Sequence, residues 1–173
     1  MEGEIMANEN LADYLNDHSA GSVAAVELLE FLEKQHEGTE VGKFAAELRA
    51  EVESDRQELK ALINRLNIGE SITRKTSAWL AGKVAELKLW LDSSDSDFLL
   101  FESLEALSLG IEGKRLLWLA LANVAKEDPA LRGPNYERLI QRAEEQRGKV
   151  DERRLGVSIK ALDKAGKAHG SSS

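Results

Sequence analysis

The sequence predicts an all-α fold: an antiparallel four-helix bundle with an additional short helix in the crossover between its two hairpins. Three observations carry this. Apolar residues recur in steps of three and four along most of the chain, the period of a helix that packs on one side. The only two prolines, Pro129 and Pro134, fall in one short stretch, so the strongest helix breaker is missing elsewhere. Short turn-forming runs punctuate the pattern at Gly38-Thr39, Gly69-Glu70-Ser71, Asp92 to Asp97 and Asp128 to Pro134.

The first helix is expected from about Asn10 to His36, after a flexible N-terminus over 1–9. Its seam is Leu11, Leu15, His18, Ser22, Ala25, Leu29, Leu32 and His36. Gly38-Thr39 ends it. The second helix is expected from about Val41 to Leu66, with the seam Val41, Ala45, Leu48, Val52, Asp55, Leu59, Leu62 and Leu66. At about 1.5 Å per residue each is about 40 Å long. The short connection makes them antiparallel neighbours. A shorter crossover helix, roughly Ser71 to Leu91, carries Trp79, Trp90 and the basic residues Arg74, Lys75, Lys83 and Lys88.

The fourth helix is expected over about Asp97 to Lys126. It is apolar over a wide arc, which predicts a mostly buried helix. Gly110-Ile111-Glu112-Gly113 lies within it and predicts close packing against a neighbour. The last helix is expected from Asn135, an N-cap, to about Ala165, so that the bundle spans 10–165. A flexible tail covers 166–173.

Composition excludes several functions. The chain of 173 residues suits one domain, and its formal charge of −8 disfavours nucleic acid, whose binding proteins present a basic face. There is no cysteine, which removes disulfides, thiolate nucleophiles, iron–sulfur clusters and Cys-ligated zinc. No basic start with an apolar run marks a secretory signal, and no apolar stretch approaches the ~20 residues of a spanning helix. A cytoplasmic location in a bacterial cell is the corresponding expectation. No Gly-rich phosphate loop, His-Glu-x-x-His or serine triad spacing occurs.

The interior-facing polar residues are the candidate site. His18 and Ser22 lie on the first seam and Asp55 on the second. A turn near Gly38 puts Ser22 and Asp55 at equal height, with His18 one turn away. They form either half a metal site or a buried hydrogen-bonded cluster that fixes register. In the second hairpin Glu105 and Glu112 lie a heptad apart, as do Arg147 and Arg154. A turn near Pro129 sets Glu105 against Arg154 and Glu112 against Arg147, two stacked and partly buried pairs. Removing Arg147 alone is then expected to cost on the order of 3 kcal/mol.

Dinuclear carboxylate bundles need Glu-x-x-His on two helices. Here the last helix has Glu144-x-x-Arg147, and a guanidinium cannot ligate a cation. All three histidines, His18, His36 and His169, lie outside that spacing. An alternative, non-standard metal or oxidoreductase site would draw on His18, Glu51, Asp55 and Glu112.

Two helical hairpins joined by a long crossover is also the connectivity of ferritin-like bundles. The stretches Gly21 to Leu29, Ala50 to Arg56, Leu107 to Lys114 and Arg142 to Arg147 resemble small uncharacterised bacterial proteins of the ferritin-like superfamily that have no iron centre. The resemblance covers most of 11–160. It implies the fold, and it implies a non-enzymatic bundle without a cofactor, a stress-related or protein-interaction module. Its partner would be another protein or a second copy of the chain. The remaining alternative is a peripheral membrane protein that docks through Trp79, Lys83 and Trp90, because a basic helix with aromatics can lie on an anionic surface.

Overall fold

In the computed structural model, residues 2–69 and 96–163 are described, with side chains from residue 9 onward. They form four long helices and one short turn of 3₁₀ helix. Helix α1 is Glu2–Gln35, α2 is Glu40–Arg65, α3 is Ser96–Val124 and α4 is Tyr136–Leu162. Thus α3 and α4 are the expected fourth and last helices. The expected crossover helix, with Trp79, Lys83 and Trp90, lies outside the described residues, as does the tail. Among the described residues no helix is long and apolar enough to cross a membrane.

Helix α1 differs from expectation at its start. It begins at Glu2, so the stretch expected to be flexible is helical. No proline interrupts that stretch, and nothing stops the helix from continuing through it. The turn into α2 matches the chemistry of its residues. Gly38 adopts φ +76°, a conformation that glycine takes without a Cβ clash. Thr39 then caps α2, its hydroxyl accepting from the Gly42 amide at 3.3 Å and donating to the His36 carbonyl at 2.7 Å. At Gly42 the backbones meet: a Cβ there would lie 2.2 Å from the His36 carbonyl oxygen.

The second turn is held by side chains. Asp128 caps the 3₁₀ turn Pro129–Leu131. The Arg132 guanidinium donates to the Ala125 and Lys126 carbonyls, both at 3.0 Å, just past the end of α3. Asn135 caps α4 by accepting from the Arg138 amide at 3.0 Å. Arg65, at the end of α2, donates to the Ala130 carbonyl at 3.2 Å and so ties this turn to the other hairpin.

Among the described residues the interior is two apolar clusters rather than one. The first includes Leu29, Leu32, Leu48, Leu104, Leu107 and Val150. The second includes Leu15, Leu59, Leu62, Trp118, Leu121 and Leu139. Each helix contributes to both, and along each helix the residues between them are polar. On α1 these are His18 and Ser22, on α2 Asp55 and on α3 Lys114. On α4 Arg142 falls between Leu139 and Ala143, with Gln146 one turn on. A polar layer therefore crosses the middle of the helices, and it positions the candidate site.

Candidate functional site

Asp55 is the centre of that layer. Its side chain is 2% exposed, at a seam position of α2 where an apolar residue would ordinarily sit. A buried carboxylate requires compensation by charge and hydrogen bonds. Two cations supply it. The Lys114 ammonium contacts Oδ2, and the Arg142 guanidinium contacts Oδ1. Gln146, fully buried, donates from Nε2 to Oδ2 at 3.0 Å and accepts from Lys114 through Oε1. Arg142 also donates to the Glu51 carbonyl at 3.4 Å. One carboxylate from α2 thus gathers side chains from α3 and α4. Burial pushes the Lys114 ammonium below the usual lysine range, and the Asp55 carboxylate opposes that shift.

Ser22 and His18 do not join these bonds. The Ser22 hydroxyl donates to the Ser19 carbonyl of its own helix at 2.6 Å. His18 stacks edge-on against Tyr14, with ring centroids 4.7 Å apart. Burial lowers the His18 pKa, and Asp17 partly counters that. Both residues nevertheless share a cavity with Asp55. It has a volume of about 220 Å³ and lies among α1, α2 and α3. The equal-height argument placed Ser22 and Asp55 on one level, but this cavity lies where a direct bond was expected.

The glycines of this region also differ from expectation. Gly21, Gly110 and Gly113 line the cavity. A Cβ built on any of them would meet no described atom within 4 Å. Gly110 and Gly113 therefore leave space, where close packing against a neighbouring helix was expected.

The four residues of the alternative metal site are not brought together. Among the described residues no group of three or more His, Asp or Glu side chains could hold a metal ion. Each carboxylate is instead engaged by a cation. Glu51 pairs with Lys149 at 2.8 Å, Asp55 pairs as above, and Glu112 pairs with Arg115 and Arg147.

The Glu–Arg pairs form a second ionic region, between α3 and α4. Arg147 contacts Glu112, and Arg154 contacts Glu105 while lying over the Phe101 ring at 4.5 Å. Between them the Ser108 hydroxyl donates to Asp151 at 2.6 Å. Glu112–Arg147 is partly buried, with Arg147 42% and Glu112 28% exposed, whereas Glu105–Arg154 is more open, with Glu105 49% exposed. Arg115, one turn from Glu112, adds a two-pronged contact at 2.8 and 2.9 Å. Bonding to Arg115 first, and to Arg147, holds the Glu112 carboxyl at about 2, against the cost of desolvation.

Sequence reasoning missed Lys114, Arg142 and Gln146. The signal for Lys114 was present. Leu100, Leu104, Leu107, Ile111, Lys114, Trp118 and Leu121 step by four and three, which puts a lysine on an otherwise apolar seam. Leu139, Ala143, Gln146 and Val150 do the same for Gln146. The chain matches no protein-family model, no curated protein and no solved structure.

Proposed function

We propose that this chain is a non-enzymatic bundle of the ferritin-like type, a binding module in which side-chain cations occupy the interior position that a metal ion would otherwise fill. The observation that carries the reading is the neutralisation of Asp55 by Lys114 and Arg142 in mid-bundle. A carboxylate already held by two cations is poorly disposed to ligate a third.

The connectivity reading is supported by the order of the apolar clusters. From N- to C-terminus α1 meets the Leu15 cluster and then the Leu29 cluster, whereas α2 and α3 meet them in the opposite order, and α4 begins again at the Leu139 end. Such an order is the one expected of two hairpins joined by a crossover, the connectivity of ferritin-like bundles. A role in protein interaction is supported by Leu155, Ile159 and Leu162, spaced to share one face of α4 and left 64, 74 and 57% exposed.

Elemental analysis tests the central point. The purified chain is offered Fe(II), Mn(II) and Zn(II) and freed of excess. It is expected to retain far less than one equivalent. Near-stoichiometric metal that is lost on Asp55→Ala would overturn the reading.

A further inference from the structure

The cavity beside the Asp55 cluster has the features of a ligand pocket. Its apolar wall includes Val52, Leu59, Leu107, Ile111 and Leu117. Gly21 and Gly110 are exposed and Gly113 is half-buried, so the cavity reaches the surface on the α1–α3 side. Glycine is among the poorest helix formers, and alanine at any of the three would meet no described atom within 4 Å. Nothing in the packing demands these glycines. Their common effect is to keep one volume empty.

Asp17 and Asp55 bring carboxylates to this cavity, but three donors there have no acceptor among the described residues. Trp118 lines it and is 1% exposed, and its indole N–H has no hydrogen-bond partner among the described residues. A buried indole N–H ordinarily finds one. The Lys114 ammonium has three protons. Two go to Asp55 and Gln146, and no described side chain takes the third. Arg56 also lines the cavity and pairs with Glu53 through Nη1, while its buried Nε–H is unpartnered. Lys114 and Trp118 are four residues apart on α3 and so share a face. In the adjoining cluster Lys114 and Arg142 both hold Asp55, and the exposed Asp17 also lines the cavity, so the excess of positive charge is local to the Lys114 side. The missing complement is therefore an anionic acceptor attached to an apolar body.

Volume bounds that body. An apolar cavity of about 150 Å³ takes up benzene. At about 220 Å³ this one has room for a single ring and a short polar substituent. We propose that the cavity binds a small aromatic monocarboxylate, its ring against the leucine, isoleucine and valine wall and its oxygens accepting from Trp118 Nε1 and Lys114 Nζ. The inference goes beyond the role proposed above and does not depend on the order of the helices.

The test is an amide and indole NMR titration of the full chain with phenylacetate, and with toluene as the neutral ring. The Trp118 indole signal is identified by its loss in Trp118→Phe. The expected result is a saturable shift of that signal, with phenylacetate binding at least about tenfold tighter than toluene. Gly113→Ala, which favours the helix and adds one methyl, should weaken binding several-fold, and Gly113→Leu should abolish it. No shift with phenylacetate up to about 10 mM would overturn the proposal. So would equal binding of the two probes, which would define an apolar void only. Phenylacetate binding unchanged by Gly113→Leu would place the site elsewhere and overturn it as well.

Discussion

Two ionic regions meet on α4, and they use the same functional groups to different ends. Toward α2 and α3, Asp55 is surrounded by Lys114, Arg142 and Gln146 in the interior. Toward α3 alone, Glu105 and Glu112 meet Arg154 and Arg147 at the edge of the helix pair. Coulomb attraction is present in both. What differs is the alternative open to each charge when its partner is lost. An edge carboxylate can turn to water, whereas Asp55 cannot. A surface pair is worth about 0–1 kcal/mol, while removing one member of a buried pair costs about 3–5 kcal/mol. The buried cluster thus enforces which residues meet, and the edge pairs follow an arrangement already set by the apolar seams.

The largest effect should come from Asp55→Ala. It leaves two cations in the polar layer without their carboxylate, and chemical denaturation should show a loss of about 3–5 kcal/mol. Lys114→Met should cost less, because Arg142 still compensates Asp55. Equal losses for the two variants would remove the asymmetry argued here. At the edge, Arg147→Met should cost at most about 1 kcal/mol, and a double-mutant cycle with Glu112→Leu should give a coupling of about 0.5 kcal/mol. This replaces the sequence-based expectation of about 3 kcal/mol, since Arg147 is half-exposed and Arg115 remains on Glu112. A coupling near that larger figure would mean that the edge is as dry as the interior.

The smallest effect is one of pH. The folded Glu112 carboxyl lies at about 2, below its ordinary 4.5. The unfolded chain therefore binds the more protons between those values. The contribution of Glu112 is fully present above about pH 4.5 and fades as pH falls toward about 2. Glu112→Gln should lower stability at neutral pH and converge on the parent chain at the acid end of that window. A constant offset across the titration would show that the carboxylate charge is not what the arginines hold.

Much of the helical fold was legible because it is written in spacing. The seams of α1 and α2 and the turn at Gly38-Thr39 depend on which residues are apolar and where glycine stands. The Glu105–Arg154 and Glu112–Arg147 partnerships were legible for the same reason, since each pair is two heptad-spaced residues at matched heights. Their exposure was not, because height says nothing about rotation around the helix. The same gap explains Ser22. It stands level with Asp55 but bonds within its own turn, and Asp55 turns to the other hairpin. Arg142 was missed because its long side chain carries charge away from the Cα position on which a seam is counted, whereas Lys114 stands on the seam of α3 itself and its spacing was there to be read. The cavity had no signal at all, being made by what Gly21, Gly110 and Gly113 lack.

The polar layer binds its helices unequally. Among the described residues no α1 side chain enters the Asp55 cluster. Among the described residues that helix meets α2 through its leucines and through the half-exposed ion pair Glu33–Arg49 at 2.9 Å, and Asn16 donates to the Gly69 carbonyl at 3.3 Å. Separating α1 from α2 therefore unmakes mainly apolar contact, since Glu33–Arg49 is half-exposed. The charge cluster thus joins α2 to α3 and α4, while α1 packs on α2 through their apolar seams. The wall that carries Gly21, His18 and Ser22 is the side of the cavity that the Asp55 cluster does not fasten.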